Sequence, residues 1–225
     1  DELGNAEISL GTLVIARTGR PESAPTRPHR WTPGVVSVAE ALLCGIDAKV
    51  SATVAATGLS TGTCTNALRV LTDMRLLEAD AQRGRRSGRR IVDNDALLAA
   101  YAEAAAAFEG PEQVAVGVTW RDPIIGLQQL APRLLSQDLR WAATGAVAAM
   151  LLAPLLTNFG TFMIYVDAQT VSALESVARS VGLKPIDGGR LILRSMPIGW
   201  TEGSRRLIQN VYVAPWPRVY VDLKN

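Results

Sequence analysis

Residues 60–90 constrain the fold more than any other segment, because their pattern changes from helical to strand-like within a few positions. Ser60 is a good N-cap for a helix. After it, apolar residues recur at intervals of three and four, as one face of a helix requires: Ala67, Leu68, Leu71 and Met74. Leu76–Ala79 is then typical of a short strand. The segment is predicted to form a helix, a strand, a turn and a second strand.

The opposite face of the predicted helix is polar. It carries hydroxyl and amide side chains and one arginine, which are able to reach bases or phosphates: Ser60, Thr61, Thr63, Thr65, Asn66 and Arg69. The turn and second strand then hold five arginines within eight residues: Arg83, Arg85, Arg86, Arg89 and Arg90. These two features favour a DNA recognition helix followed by a basic hairpin, and these residues are the predicted DNA contacts.

Two upstream helices support this interpretation. Val35–Cys44 has helical spacing, Ser51–Thr57 is predicted as a second short helix, and Gly58 forms a tight turn into Ser60. Residues 35–108 therefore resemble the winged-helix domains of bacterial transcription regulators. The resemblance implies that the helix after Ser60 enters the major groove of double-stranded DNA, while the wing arginines contact phosphates or the adjacent minor groove.

Charge is concentrated in the same segment. Between residues 60 and 90, seven arginines stand against three acidic residues, a net of 7 − 3 = +4, whereas the whole chain of 225 residues carries only +2. Any DNA affinity would therefore come from a local patch. Two alternatives stay open, since winged helices also dock proteins and arginine runs are often solvated loops.

Strands and helices alternate through residues 110–225, as in a mixed α/β domain. The predicted strands are Gln113–Val118, Leu139–Ala143, Phe162–Val166, Arg190–Leu193 and Val211–Val213. The predicted helices are Pro123–Leu135, Ala146–Leu152, Ala168–Val181 and Pro217–Leu223. On the third of these helices, the residues expected to face inward are Val171, Leu174, Val177, Ala178 and Val181.

The stretches WAATGAVAAMLLAPLL, TFMIYVD and VYVAPWPRVYVDL resemble bacterial antitoxin-like regulators of the AbiEi type. The resemblance implies a winged helix followed by a domain shaped like a degenerate nucleotidyltransferase. In one branch of that family a degenerate restriction-endonuclease-like domain comes first, and its last strands are similar to residues 1–20. The resemblance also implies an autoregulating antitoxin with a partner toxin protein. A homodimer of this chain is a further expected assembly.

The chain of 225 residues is long enough for two modest domains, and its 48% hydrophobic content excludes wholesale disorder. We expect an α+β fold in four parts. Residues 1–20 would be a β-strand remnant of an upstream domain, with paired strands around Gly11, and residues 21–34 a proline-rich linker. The winged helix would take residues 35–109 and the nucleotidyltransferase-like domain residues 110–225.

Catalytic residues are missing from the sequence pattern. Nucleotidyl transfer needs paired carboxylates to hold metal ions, but Asp167 stands alone, with Tyr165 in the place of the second carboxylate. Asp167 is instead predicted to cap the helix from Ala168. The only histidine, His29, lies in the linker, and no cysteine or histidine cluster suits zinc. We expect no enzymatic activity, no metal and no cofactor.

Two cysteines, Cys44 and Cys64, are predicted as small buried thiols on apolar helical positions. Without a secretory signal they indicate a reducing cytoplasm. The longest apolar run, Trp141–Leu156, is too short to span a bilayer. The predicted function is that of a cytoplasmic bacterial DNA-binding transcriptional regulator, and the antitoxin role is the more specific form of it. The alternatives are a nucleotidyltransferase or nuclease-associated enzyme targeted by its winged helix, and a protein-docking module that neutralises a partner.

Overall fold

The computed structural model describes residues 6–10, 13–17, 30–79, 88–108, 112–153, 160–201, 203 and 205–224. Helices and strands are mixed along the chain, so the predicted α+β class is confirmed. The chain divides into two compact units, Asp1–Arg30 and Trp31–Asn225. His29 lies outside the described residues.

The first unit contains a β-hairpin. Its strands are β1 (Ala6–Leu10) and β2 (Leu13–Arg17), which pair antiparallel with Leu10 opposite Leu13. The two strands predicted on either side of residue 11 are therefore confirmed.

Helices and a short hairpin begin the second unit. They are α1 (Pro33–Leu43), α2 (Val50–Thr57), α3 (Thr61–Asp73), β3 (Leu77–Ala79), β4 (Arg89–Ile91) and α4 (Asn94–Ala107). Helix α1 begins inside the segment predicted as a linker. Thr32 causes this early start, because its side chain accepts a hydrogen bond from Val35 N at 3.4 Å. Pro33 follows at the first helical position, where its missing N–H is not needed.

Local signals also set the other helix ends in this part. Gly58 ends α2 with φ of 69°, a left-handed conformation that glycine adopts at little cost. Ser60 then caps α3 by accepting a hydrogen bond from Thr63 N at 3.2 Å. Asp93 caps α4 through the backbone N–H groups of Asp95 and Ala96. The turn between α2 and α3 therefore follows directly from the sequence.

Strands β3 and β4 pair antiparallel, with Leu77 opposite Ile91 and Ala79 opposite Arg89. Ala48, between α1 and α2, adds an isolated antiparallel bridge to Arg89. Arg89 N donates to Ala48 O at 3.2 Å. The hairpin is thereby fastened to the segment between α1 and α2.

The rest of the second unit is built on a sheet of seven strands among the described residues. In chain order they are β5 (Gln113–Gly117), β6 (Trp141–Thr144), β7 (Phe162–Val166), β8 (Lys184–Pro185), β9 (Leu191–Ser195), β10 (Arg206–Ile208) and β11 (Val211–Val213). The order across the sheet is β10-β11-β6-β7-β9-β5-β8. Pairs β11–β6 and β7–β9 are parallel, and the other pairs are antiparallel. Strands β8 and β10 were not predicted, because two or three residues carry too little alternation to be recognised.

The helices of this part are α5 (Pro123–Ser136), α6 (Gly145–Leu152), α7 (Val171–Ser180) and α8 (Trp216–Lys224). Helix α7 begins later than predicted, because Thr170 caps it by accepting a hydrogen bond from Ala173 N at 3.2 Å. Val171 consequently lies in the first turn and is 42% exposed, so its predicted inward position is wrong. Leu174 and Ala178 are buried as predicted.

Two hydrophobic cores hold the second unit together. One lies between the sheet and its helices and contains Trp141 and Ile164. The other lies among α1, α3 and α4 and contains Leu68. Helix α8 contributes to both, since Val219 belongs to the first core and Val221 to the second. Because of α8, the sheet and the preceding helices share one packed body.

Within the described ranges, no helix has the length and apolar character needed to cross a membrane. The described residues of the apolar run that starts at Trp141 are divided between β6 and α6. Most of their apolar side chains are buried in the core between the sheet and its helices.

Candidate nucleic-acid interface

One face of α3 is exposed and polar. Thr61, Thr63, Thr65, Asn66 and Arg69 all lie on the surface. The opposite face is buried in the core that α3 shares with α1: Cys64, Ala67, Leu68, Val70 and Leu71. The structure therefore brings the predicted helix contacts together on one surface, separate from the residues that hold the helix in place.

The hydroxyl groups of Ser60 and Thr63 already form hydrogen bonds at the N-terminal end of α3. Besides the cap on Thr63 N, the two hydroxyl oxygens lie 2.9 Å apart and share a hydrogen bond. A hydroxyl has one donor and two acceptor sites, so each retains some capacity for another partner. Ser60 thus serves first as the N-cap, and any contact with nucleic acid would be additional.

Arg69 is held by two neighbours on its own helix. Its Nη2 donates to Asn66 Oδ1 and its Nη1 to Asp73 Oδ2, both at 2.8 Å. The Arg69 side chain is 61% exposed, and exposed pairs of this kind contribute only about 0.3–0.5 kcal/mol. Releasing the guanidinium toward a phosphate or a base would therefore cost little. Asn66 would also have to release its Oδ1 before pairing bidentately with adenine.

The described arginines of the hairpin have different environments. Arg89 is half-buried, and its Nε donates to Thr72 Oγ1 on α3 at 3.1 Å. Arg90 is exposed and pairs with Glu78 across the hairpin. Arg89 therefore fastens the hairpin to α3, while Arg90 points a cation to solvent beside it. The sequence did not distinguish these two roles.

The surface around α3 and the hairpin carries a positive charge. Within residues 60–90, the described part holds four arginines and two acidic residues, a net of 4 − 2 = +2: Arg69, Arg75, Arg89, Arg90, Asp73 and Glu78. The remaining predicted charge belongs to residues 80–87, which lie outside the described residues. Three predicted contacts lie there, namely Arg83, Arg85 and Arg86.

A buried carboxylate that sequence reasoning missed lies in the sheet half. Asp222 on α8 accepts hydrogen bonds from Thr144, Tyr165 and Arg194, and its side chain is only 7% exposed. We call these four residues the Asp222 cluster. Burial, followed by the charge of Asp222, raises the pKa of Tyr165 well above its usual value, so its hydroxyl stays a donor.

A second buried cluster joins α1, α4 and α8. The Glu40 side chain accepts hydrogen bonds from Tyr101 and from Arg218, whose Nε lies 3.0 Å from Glu40 Oε2. We call these three residues the Glu40 cluster. Burial by itself would lower the pKa of Arg218, but the Glu40 carboxylate and the neighbouring tyrosines raise it above its usual value. The cluster therefore holds a charged pair in the interior.

Neither cluster has a sequence signal that could have revealed it. Glu40 and Arg218 are 178 positions apart, and Thr144 and Asp222 are 78 apart. Glu40 also interrupts the apolar residues of α1. A glutamate is almost never fully buried unless it is paired, so the sequence alone would place this side chain in solvent. Only the packing of α8 against both halves brings these side chains together.

The predicted capping role of Asp167 is wrong. Its carboxylate accepts a hydrogen bond from Arg140 Nε at 2.8 Å and forms an ion pair with that guanidinium. Thr170 caps the following helix in its place. The lone carboxylate of the predicted degenerate site is therefore paired with a cation.

The cysteines differ from each other. Cys64 is buried on α3, as predicted. Cys44 is the C-cap of α1 and is only half-buried, so the prediction of a buried thiol is wrong at this position. Burial and the nearby Glu40 charge raise the pKa of Cys44 to about 11, so it is a protonated thiol at neutral pH. Among the described residues, no group of histidine, cysteine, aspartate and glutamate is arranged to hold a metal ion.

Comparisons with protein-family models, with curated proteins and with solved structures found no match to this chain.

Proposed function

We propose that residues 35–108 form a winged-helix domain that binds double-stranded DNA, with α3 as the recognition helix and the β3–β4 hairpin as the wing. The order of the elements supports this proposal. Helices α1 to α3 precede a hairpin, and the isolated bridge from Ala48 ties that hairpin to the segment between α1 and α2.

One observation carries the proposal most directly. The polar face of α3 is exposed beside a hairpin that carries arginines, and Arg89 holds the two against each other through Thr72. The short polar side chains of such a helix can contact base edges in a groove of the DNA, and the arginines of the neighbouring hairpin can neutralise phosphates. If the hairpin were only a solvated loop, no contact between Arg89 and α3 would be expected, whereas the Arg89 Nε donates to Thr72.

For the sheet half, we propose a nucleotidyltransferase-like scaffold without catalytic activity. The surroundings of Asp167 support it, because magnesium relies on several oxygen ligands and, among the described residues, the group paired with Asp167 is the Arg140 guanidinium rather than a second carboxylate. The family resemblance of the sequence adds the proposal of an autoregulating antitoxin that acts on its own promoter with a partner toxin. The neighbouring reading frame on the chromosome tests that part, since a toxin gene should adjoin this one.

The experiment for DNA binding begins with selection of a preferred duplex from a random-sequence pool. On that site, Asn66→Ala and Arg69→Ala should each cost about 1–3 kcal/mol, or about 5- to 150-fold in affinity. On scrambled duplex the loss should be small, because a lost base contact affects only the specific complex. Fluorescence anisotropy at a fixed salt concentration measures both.

Arg179→Ala is the matched control. Arg179 lies on α7 in the sheet half and donates to Glu175 at 2.8 Å, with side-chain exposures of 62% and 37%. The pair of Arg69 with Asp73 has 61% and 36%. The proposal is wrong if no duplex is enriched from the pool, or if the Arg69 and Arg179 variants bind the enriched duplex equally well.

A further inference from the structure

Arg69 is held from both sides along the exposed face of α3. Its Nη2 donates to Asn66 Oδ1 and its Nη1 to Asp73 Oδ2, both at 2.8 Å. Residues three and four positions apart share one face of a helix. One such row runs along the exposed face of α3, opposite its buried residues: Gly62, Asn66, Arg69 and Asp73. The Arg69 guanidinium therefore lies on the surface that α3 presents to solvent, with a bonded neighbour before it and another after it.

These two bonds leave most of the Arg69 donors available. A guanidinium carries five N–H donors on a rigid plane, two on each Nη and one on Nε. The bonds to Asn66 and Asp73 use one N–H on each Nη. An N–H group then remains on each of the three nitrogens, and a bidentate contact uses two N–H groups on neighbouring nitrogens. Arg69 can therefore bind a further acceptor group while both neighbours keep it in place.

The carboxylate beside Arg69 decides between a phosphate and a base as that acceptor. The Asp73 side chain is 36% exposed and bonded to the Arg69 guanidinium. A phosphate that approaches Arg69 meets this negative charge as well as the positive one, and like charges at such a short separation repel. The edge of a base carries no net charge and avoids that repulsion. Arg69 is therefore better suited to a base than to a phosphate.

Guanine is the base whose major-groove edge matches the free donors of Arg69. It presents two acceptors, N7 and O6, whereas adenine presents an acceptor beside a donor, thymine an acceptor beside a methyl group, and cytosine a donor. Asn66 is less suited to read adenine, because its Oδ1 already accepts from Arg69. We propose that Arg69 reads a guanine in the major groove, with Asn66 and Asp73 as its positioning residues. This inference rests on the proposed binding of double-stranded DNA by α3.

Replacement of guanine by 7-deazaguanine tests the contact, because it exchanges N7 for a C–H group and leaves base pairing intact. Each guanine of the duplex enriched by selection is replaced in turn, and the affinity is measured by fluorescence anisotropy. At one position the parent should bind the modified duplex about tenfold more weakly. Inosine, which lacks only the minor-groove amino group of guanine, should cause no loss there. Arg69→Ala should bind the modified and unmodified duplexes equally well, since it has no donor for N7.

Arg90→Ala is the matched control for a lost cation. Arg90 is also an exposed arginine paired with a carboxylate, since the side chains of Arg90 and Glu78 are 72% and 44% exposed. Its replacement should change the affinities for the modified and unmodified duplexes by the same factor, so the tenfold difference between them should remain. If Arg90→Ala abolishes that difference as Arg69→Ala does, the loss reflects charge and not guanine reading, and the proposal is wrong.

Asp73→Ala tests the positioning role. Removal of its charge should strengthen binding to both duplexes, but the difference between them should fall about twofold, because an exposed pair one helical turn apart shifts a side-chain equilibrium by about that factor. A residue with only a structural role would leave the difference unchanged, and that result would contradict the positioning role.

Failure of this inference is distinct from failure of the proposed function. If a duplex is enriched but no guanine position shows the loss, or if the loss persists in Arg69→Ala, guanine reading by Arg69 is wrong while DNA binding stands. If no duplex is enriched from the pool, the proposed function is wrong and this inference is wrong with it.

Discussion

Replacement of Glu40 by glutamine should destabilise this protein far more than removal of any exposed charge. The side chains of Glu40 and Arg218 are only 2% and 4% exposed. Glutamine retains the shape of the glutamate and one acceptor oxygen, but it removes the negative charge and so leaves Arg218 as a buried cation without its Glu40 counter-ion. Removing one partner of a buried pair costs about 3–5 kcal/mol. At about 2–4 °C per kcal/mol for a protein of this size, the melting temperature should fall by about 6–20 °C.

Urea denaturation, followed by circular dichroism and by tryptophan fluorescence, measures this loss of unfolding free energy. The two signals should change together, because the Glu40 cluster joins α1 and α4 to α8. Glu175→Gln is the control, since it removes an exposed partner of Arg179 and should change stability by less than about 0.5 kcal/mol.

A double variant, Glu40→Leu with Arg218→Met, separates the charge from the packing. When both charges are replaced by apolar groups, the buried cation disappears and much of the stability should return, less about 1–3 kcal/mol because the buried Tyr101 hydroxyl loses its acceptor. The loss in the double variant should therefore be much smaller than the sum of the two single losses. If Glu40→Gln costs no more than Glu175→Gln, or if the two single losses add, the pair is solvated and the reasoning fails.

Three further outcomes are expected. Asp73→Asn should raise the affinity for duplex DNA by about twofold or more in an anisotropy titration, because it frees Arg69 and removes a carboxylate that repels phosphate; unchanged affinity would contradict a placement of this end of α3 against the phosphates. Joint replacement of Arg85 and Arg86 by alanine should weaken binding to all duplexes about equally, and the slope of log affinity against log salt should become shallower by about 0.9 per lost contact. Binding like that of the parent at several salt concentrations would exclude these arginines as contacts. Nucleoside triphosphates with magnesium should leave the melting temperature unchanged, whereas a rise that disappears in Asp167→Asn would indicate a nucleotide site.

The sequence was sufficient for the elements around α3 because their signals are local. Ser60 caps the helix that follows it, Gly58 takes the left-handed conformation that ends α2, and the apolar spacing of α3 defines its buried face. These effects act over a few residues, so they are visible in one chain without any tertiary information. The position of the exposed polar face follows from the same periodicity.

Residue type alone gave a wrong prediction where two residues could each cap the same helix. Asp167 and Thr170 are both good caps, and the sequence gives no reason to prefer the later one. The structure places Arg140 beside Asp167, and this ion pair leaves Thr170 to cap α7. Arg89 is a similar case, because only the packing of the hairpin shows that this arginine donates to Thr72.

Tertiary structure alone decided which charged residues lie in the interior. Glu40 and Arg218 are 178 positions apart in the chain, and the residues around each one give no indication of its partner. Helix α8 packs into both cores and brings Arg218 to Glu40 and Asp222 to Arg194. A local pattern reports which face of a helix is apolar, but the partner of a buried charge depends on which distant element covers that face, and that is a property of the whole packed body.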